Sequence, residues 1–174
     1  MKINIAKIKL GTGLTAKFTL TETFEDIDFE SDKIKFKIPV KVNGEATNAG
    51  SMFTILGEAE TILNLTCSRC LEEFEYPIKV EFNASFSQPD SLGKDDDDVR
   101  IFNGDEIMLD DVIVEALLLE LPLKYLCDVD CKGLCSQCGN NLNKTTCNCE
   151  KPVDPRFGIL ADLLKNAEDK PKGV

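Results

Sequence analysis

The sequence has no histidine among its 174 residues, and this absence removes several classes of function. Zinc hydrolases and deaminases need an open metal position, usually beside an imidazole ligand and a general base. No His-x-Glu motif is present, and Gly11-Thr12-Gly13 lacks the lysine and serine of a phosphate-binding loop, so we interpret it as a turn. We therefore predict that the protein is not an enzyme and has no small-molecule substrate.

Long hydrophobic runs are also missing. No segment approaches the roughly 20 apolar residues that a membrane-spanning helix needs. The N-terminal segment (MKINIAKIKL) alternates lysine with apolar residues, whereas a secretory signal has a continuous apolar stretch. We expect a cytoplasmic protein with no membrane partner. Because thiols stay reduced in the cytosol, its cysteines are expected to bind metal, with disulfides as the alternative.

What the sequence does contain is a set of eight cysteines at metal-ligand spacing: Cys67, Cys70, Cys127, Cys131, Cys135, Cys138, Cys147 and Cys149. A Cys-x-x-Cys turn directs two sulfurs at one point and covers one edge of the tetrahedron that zinc prefers. Two four-thiolate zinc sites would use all eight cysteines. Such sites have no open coordination position, so the two zinc ions would be structural.

Spacing favours one division of these cysteines. The last four can close a local site at a small loss of loop entropy: Cys135, Cys138, Cys147 and Cys149. The first four would form a long-range site across about 57 residues: Cys67, Cys70, Cys127 and Cys131. In one alternative, the middle four share a zinc ion and leave Cys67 and Cys70 as a free pair. In another, the protein binds a single zinc ion.

Two other interpretations of the cysteines stay open. A redox Cys-x-x-Cys works at a helix N-terminus, whereas Cys67 and Cys70 lie between two segments of strand character. An RNA-binding zinc module needs bases and aromatics, but residues 127–149 contain only two lysines and no arginine. We consider three basic residues as candidate binding residues: Arg69, Lys132 and Arg156. An arginine beside zinc thiolates is more often a hydrogen-bond donor to the site.

The formal charge of -11 points to the kind of partner. The excess of acids is concentrated after residue 89, where 18 acids face 10 bases, and metal-bound thiolates would add to it. A surface of this sign repels the phosphate backbone of nucleic acids. The charge therefore favours a basic protein partner, although the four aspartates at 95–98 are interpreted mainly as a solvated loop.

The hydrophobic pattern predicts an α+β fold. Segments such as residues 33–38 and 79–84 alternate polar and apolar residues, which predicts antiparallel strands in a curled sheet or small β-barrel. Asn43-Gly44 and Ala49-Gly50 are interpreted as turns, and Leu56-Gly57 as a bulge or sharp bend.

The second half of the chain predicts helices around the cysteine-rich zinc module. Asp110-Asp111 begins a helix that Pro122 ends, and Asp154-Pro155 begins a C-terminal helix. We predict an antiparallel β domain at 1–88, an acidic linker or loop at 89–109, the helix, zinc module and C-terminal helix at 110–166, and a flexible tail at 167–174.

Several blocks in the sequence resemble one known family. They are Cys67-Ser68-Arg69-Cys70-Leu71, Leu121-Pro122-Leu123-Lys124, Asp130-Cys131-Lys132-Gly133-Leu134-Cys135, Cys138-Gly139, Asn141-Leu142-Asn143 and Asp154-Pro155-Arg156-Phe157. This ordered set resembles the YceD family of bacteria and plastids, in the type found in Gram-positive bacteria. Some relatives keep the first cysteine pair and lack the last four cysteines, which is consistent with two separable metal sites.

The resemblance implies a noncatalytic role in the accumulation or processing of large-subunit ribosomal RNA, and hence in ribosome biogenesis through assembly of the large ribosomal subunit. Combined with the charge, it predicts a zinc-stabilised acidic scaffold that binds a basic ribosomal protein or the rRNA-processing machinery and touches ribosomal RNA indirectly. The alternatives are a thiol-redox protein and a zinc protein that binds ribosomal RNA directly.

Overall fold

The elements of the fold are nine strands and two helices within the residues that the structure, a computed structural model, describes: 1–29, 32–89 and 99–149. In chain order they are β1 (Lys2–Asn4), a 3-10 helix (Ile8–Leu10), β2 (Thr15–Glu22), β3 (Ile27–Phe29), β4 (Asp32–Phe36), β5 (Val40–Asn48), β6 (Phe53–Thr66), β7 (Glu73–Ser87), β8 (Val99–Ile101), β9 (Glu106–Met108) and α1 (Asp110–Glu120).

The main sheet is organised around β6. β7 pairs with β6 along its whole length, while β5 and then β4 pair with it on the other side. β2 extends the sheet beyond β5, β3 extends it beyond β4, and β8 adds a parallel strand to β7. Antiparallel pairing therefore dominates, as predicted. No pairing in the described residues joins the outer strands into a ring, so the barrel alternative was wrong.

One apolar core joins the sheet to the segments that follow it. Alternate residues of β6 are buried, among them Ile55, Ala59 and Leu63, because successive side chains of a strand point to opposite faces. Ile113 and Leu117 of α1 belong to the same core, and α1 packs against β7. Full burial of one such aliphatic side chain contributes about 1.5–3 kcal/mol, so the helix is firmly attached to the sheet.

A pair of glycines at the centre of the sheet corrects two predictions. Gly44 lies inside β5 and is paired with Gly57 of β6, so Asn43-Gly44 is not a turn and Leu56-Gly57 is not a bulge. Phe18 of β2 is the partner of Gly44, and Phe82 of β7 is the partner of Gly57. A Cβ on Gly44 would lie 2.6 Å from Cζ of Phe18, and one on Gly57 would lie 2.7 Å from Cζ of Phe82. The glycines are there because two aromatic rings cover them.

Other predictions about the fold hold within the described residues. Ala49-Gly50 is the turn between β5 and β6, with Gly50 at a φ of 98° that suits glycine. The first helix begins at Asp110 and ends before Pro122, as predicted. The segment expected to be a linker contains β8 and β9, and β9 pairs with β1. The division into domains stays a prediction.

Three predicted features lie outside the described residues: the aspartates at 95–98, the C-terminal helix and the flexible tail. As for the membrane, none of the helices in the described part of the chain combines the length and the apolarity needed to cross a bilayer.

Replacing Gly57 by alanine tests the packing at the centre of the sheet. The added methyl group would meet the Phe82 ring and the Asn43 carbonyl, at 2.7 and 2.8 Å, so we expect a loss of about 1–3 kcal/mol in the free energy of unfolding. Gly11→Ala is the control, because its new methyl group would lie at an ordinary 3.4 Å from Leu14 and should change stability by less than about 0.5 kcal/mol. Urea unfolding measures both. Equal stability of the two variants would show that the rings move aside easily.

Candidate metal centres

Four cysteines converge at the tip of the β6–β7 hairpin. Cys67 directly follows β6, Cys70 is three residues before β7, and Cys127 and Cys131 come from the segment after α1. Their Sγ atoms all lie within 4.8 Å of one another. We call this group the inner cluster. Cys67, Cys70 and Cys131 are buried and Cys127 is exposed.

The sulfur separations of the inner cluster fit a tetrahedral metal ion. The Sγ atoms of Cys67 and Cys131 are 3.8 Å apart, and those of Cys70 and Cys127 are 3.6 Å apart. Zinc–sulfur bonds of about 2.3 Å in a regular tetrahedron place the sulfurs about 3.8 Å apart. A disulfide requires about 2.05 Å. The geometry therefore fits shared coordination of one ion and does not fit disulfides.

The other four cysteines form a second group, which we call the outer cluster. It consists of Cys135, Cys138, Cys147 and Cys149, and its Sγ atoms also lie within 4.8 Å of one another. Cys135 and Cys147 are half-buried, while Cys138 and Cys149 are exposed. The outer cluster is thus made by one local loop at the surface and is more accessible than the inner cluster.

Both Cys-x-x-Cys segments adopt the same turn. The N–H of Leu71 donates to the carbonyl of Cys67 at 2.9 Å, and the N–H of Gly139 donates to the carbonyl of Cys135 at 2.9 Å. Leu71 and Gly139 both have a left-handed φ, of 58° and 73°. Glycine tolerates this conformation, whereas a leucine there costs about 1–2 kcal/mol. Strain of this kind persists where the surroundings enforce it, as convergence of two sulfurs would.

Arg69 links the hairpin tip to the loop that begins the outer cluster. Its guanidinium donates to the carbonyl of Cys131 at 2.9 Å, and its own carbonyl accepts from the N–H of Leu134 at 3.1 Å. A Cβ on Gly133 would come within 3.0 Å of that carbonyl, and Gly133 has a φ of 73°, so glycine is required there. Arg69 therefore acts as a hydrogen-bond donor to the site, the role expected of an arginine beside thiolates.

Asn143 contacts the inner cluster, a contact that the sequence analysis did not predict. Its Nδ2 donates to the sulfur of Cys131 at 3.3 Å, and its Oδ1 accepts from the N–H of Lys132 at 2.7 Å. Amide donors to a thiolate orient it and stabilise its charge. The only signal in the sequence was the block Asn141-Leu142-Asn143, which carries the family resemblance and does not indicate a contact with a sulfur.

Ionisation of the inner cluster is shaped by its own backbone. Burial disfavours the thiolate of Cys67, but the backbone N–H groups of Cys127, Cys70 and Arg69 together lower the pKa of its thiol to about 6. Burial, followed by hydrogen bonds with the other thiols, raises the pKa of Cys127 to about 12. One thiolate is therefore favoured, and further deprotonation requires a positive charge.

The outer cluster repeats this arrangement. Backbone N–H groups of Cys138 and Gln137 lower the pKa of Cys135 to about 6. The side chain of Cys138, together with burial, raises the pKa of Cys149 to about 12. A divalent cation removes this opposition to ionisation, because metal binding and thiol deprotonation are coupled. The donor sets of both clusters therefore suit a thiolate-binding ion such as zinc.

The structure groups the first four cysteines in one cluster and the last four in another, which is the division that the spacing favoured. It does not place Cys127 and Cys131 with Cys135 and Cys138, and all eight thiols are free of disulfide bonds. Of the candidate binding residues, Arg69 contacts the inner cluster and Lys132 is exposed beside it. Arg156 lies outside the described residues.

Comparison with known proteins identifies the family. The family model described as "Large ribosomal RNA subunit accumulation protein YceD" matches residues 55–164, a range that includes every cysteine. The chain belongs to the YceD family. No solved structure gives a significant match.

Relatives in the YceD family come from bacteria and plants. The uncharacterized protein YlbN of Bacillus subtilis is 32% identical over 137 residues, which cover 75% of this chain and 77% of that protein. An uncharacterized protein of Mycobacterium tuberculosis is 31% identical over 132 residues, covering 74% of this chain and 63% of its own length. These two agree with the Gram-positive type that the sequence blocks predicted.

A plant relative carries a functional name. It is "Large ribosomal RNA subunit accumulation protein YCED homolog 1, chloroplastic" of Arabidopsis thaliana, 26% identical over 162 residues, covering 76% of this chain and 50% of that protein. The YceD chain described here thus spans about three fifths of the mycobacterial relative and half of the plant relative.

Paired substitutions should separate the two clusters. We expect two zinc ions per chain in native mass spectra under reducing conditions, and one ion fewer for either Cys67→Ser with Cys70→Ser or Cys138→Ser with Cys149→Ser. At saturating zinc, the variant with both Cys67 and Cys70 replaced should lose about 2–5 kcal/mol in its free energy of unfolding, the range for losing a long-range cross-link. The variant with both Cys138 and Cys149 replaced should lose less. Thermal unfolding measures this difference. A fully folded protein without any transition metal, prepared anaerobically with zinc supplied, would contradict both expectations.

Proposed function

We propose that this protein supports the accumulation of large-subunit ribosomal RNA as a noncatalytic scaffold stabilised by two zinc ions. Membership in the YceD family supports the biological role, since the family description and the plant relative's name both refer to that RNA. The grouping of the cysteines supports the physical role, because four thiolates around one ion leave it no position for a substrate.

The inner cluster is the observation that carries the proposal. It joins the tip of the β6–β7 hairpin to a distant segment of the chain, since Cys70 and Cys127 are 57 residues apart in the sequence. An ion held there links parts of the chain that are distant in sequence, so metal binding contributes directly to folding. A metal with this placement shapes a surface and performs no chemistry of its own.

The charge around the clusters favours a basic protein partner. Residues 127–149 contain two lysines, and one of them, Lys144, is ion-paired with Glu72. Arg69 directs its guanidinium at the Cys131 carbonyl. Few cations are thus available for phosphate contacts, while the whole chain carries a charge of -11. We infer that the partner is a basic ribosomal protein or a component of the rRNA-processing machinery, and that contact with RNA is indirect.

The redox alternative has less support. Cys67 and Cys70 lie in a hairpin turn, whereas a redox pair is activated at the N-terminus of a helix. Each Cys-x-x-Cys pair also has two further sulfurs within 4.8 Å, which is the arrangement of a metal site and not of a dithiol with one resolving partner.

Depletion of the protein in its own host tests the biological role. We expect the ratio of large-subunit to small-subunit ribosomal RNA to fall, and to recover with the wild-type chain but not with Cys67→Ser combined with Cys70→Ser. Gel quantification of both RNAs measures the ratio, and Gly11→Ala serves as the complementing control variant. An unchanged ratio on depletion would reject the proposed role.

Binding experiments distinguish a protein partner from direct RNA binding. We expect purified large-subunit proteins to be retained by the immobilised chain and to elute as salt rises past about 0.1 M, where the screening length is about 10 Å. Replacing the four aspartates at 95–98 by asparagine should weaken retention. Large-subunit RNA fragments should not be retained on filters at the same salt concentration. Tight RNA retention together with no protein retention would favour the direct RNA-binding alternative.

A further inference from the structure

The inner cluster receives a hydrogen bond from the loop that forms the outer cluster. Asn143 lies between Cys138 and Cys147, and its amide donates to the sulfur of Cys131 at 3.3 Å. The same side chain accepts from the N–H of Lys132, at 2.7 Å. One residue of the outer loop therefore holds both a sulfur of the inner cluster and the backbone next to it.

A short backbone ladder fixes the position of this loop. The N–H of Leu142 donates to the carbonyl of Gly133 at 2.9 Å, and Leu134 forms an antiparallel bridge with Asn141. The N–H of Cys135 donates to the carbonyl of Asn140 at 2.8 Å. The chain leaving the inner cluster and the chain carrying Asn143 are thus held side by side, and the cysteines of the outer cluster lie at both ends of that loop.

The two clusters differ in their access to solvent. Three of the four cysteines in the inner cluster are buried, whereas none in the outer cluster is. The outer cluster is also built within 15 consecutive residues, from Cys135 to Cys149. Metal exchange and competition with chelators will therefore act on the outer cluster first.

We propose that the outer cluster is a regulatory metal site, whose occupancy raises the metal affinity of the inner cluster through Asn143. The inference rests on the metal-binding part of the proposed function. An ion at the outer cluster orders the loop, so Asn143 is already in place when the inner cluster binds its ion. Without that ion, the loop must lose conformational entropy when Asn143 binds Cys131, and this cost weakens the hydrogen bond. The coupling is reciprocal, so the inner ion favours the outer one by the same factor.

Cadmium-113 NMR of the full, reduced chain can assign occupancy to each cluster, and zinc competition with a chelator can give each affinity. The first variant, Cys138→Ser with Cys149→Ser, disables the outer cluster. The second, Asn143→Ala, keeps all eight cysteines and changes an exposed side chain, so it should fold. Asn140→Ala is the control, because its side chain forms no hydrogen bond with the described residues and its carbonyl contact with Cys135 is retained.

We expect the inner affinity for zinc to fall about 10-fold or more in both variants, as is usual when a hydrogen bond to a metal ligand is lost, and to stay unchanged in Asn140→Ala. An unchanged inner affinity in either Asn143→Ala or the outer-cluster variant would overturn the coupling, while two bound ions would still support the metal-stabilised scaffold. A wild-type chain that binds no metal would reject that scaffold and the coupling together. The RNA ratio after depletion tests the biological role and bears on neither the coupling between the clusters nor the metal-stabilised scaffold.

Discussion

The convergence of four sulfurs at the β6–β7 hairpin tip is the constraint on which the rest of the structure depends. Thiol groups 3.6–3.8 Å apart do not attract one another strongly enough to hold two distant segments of chain. Burial, followed by hydrogen bonds with the other thiols, raises the pKa of Cys127 and opposes its ionisation. A divalent ion bound by the four sulfurs would favour the ionised thiols and would link the two segments of chain.

A cross-link at this place would fix the path of the chain after α1. The helix packs on β7 and buries Ile113 and Leu117 in the core, and Pro122 prevents its extension. The chain then returns to the hairpin, where the N–H of Ser68 donates to the carbonyl of Tyr125 at 2.7 Å. The cysteine-rich loop therefore has a defined position on the sheet, although few apolar residues hold it there. Backbone hydrogen bonds and a small buried cluster, in which Leu126 and Leu134 pack against the cysteines, hold this region.

Local patterns in the sequence predicted the features that depend on neighbours in the chain. Two-residue alternation predicted β4 and β7, and cysteine spacing predicted which four sulfurs form the outer cluster. The role of Gly44 was mistaken because Gly57 and Phe18 are its neighbours on the adjacent strands. The sequence alone does not give the register that pairs them. The bond from Asn143 to Cys131 was missed for a similar reason, since side-chain contacts with a sulfur follow from the path of a whole loop.

Two turns of the same conformation produce two clusters of different character because their surroundings differ. Cys67 follows a long strand whose partner strand resumes at Glu73, so its turn is fixed on both sides by the sheet. Only three residues separate Cys135 from Cys131, and the turn of Cys135 is held by a short ladder to residues 140–142. The sheet thus positions the inner cluster, and the ladder places the loop of the outer cluster beside it. The hydrogen bond from Asn143 to Cys131 then joins the two clusters directly.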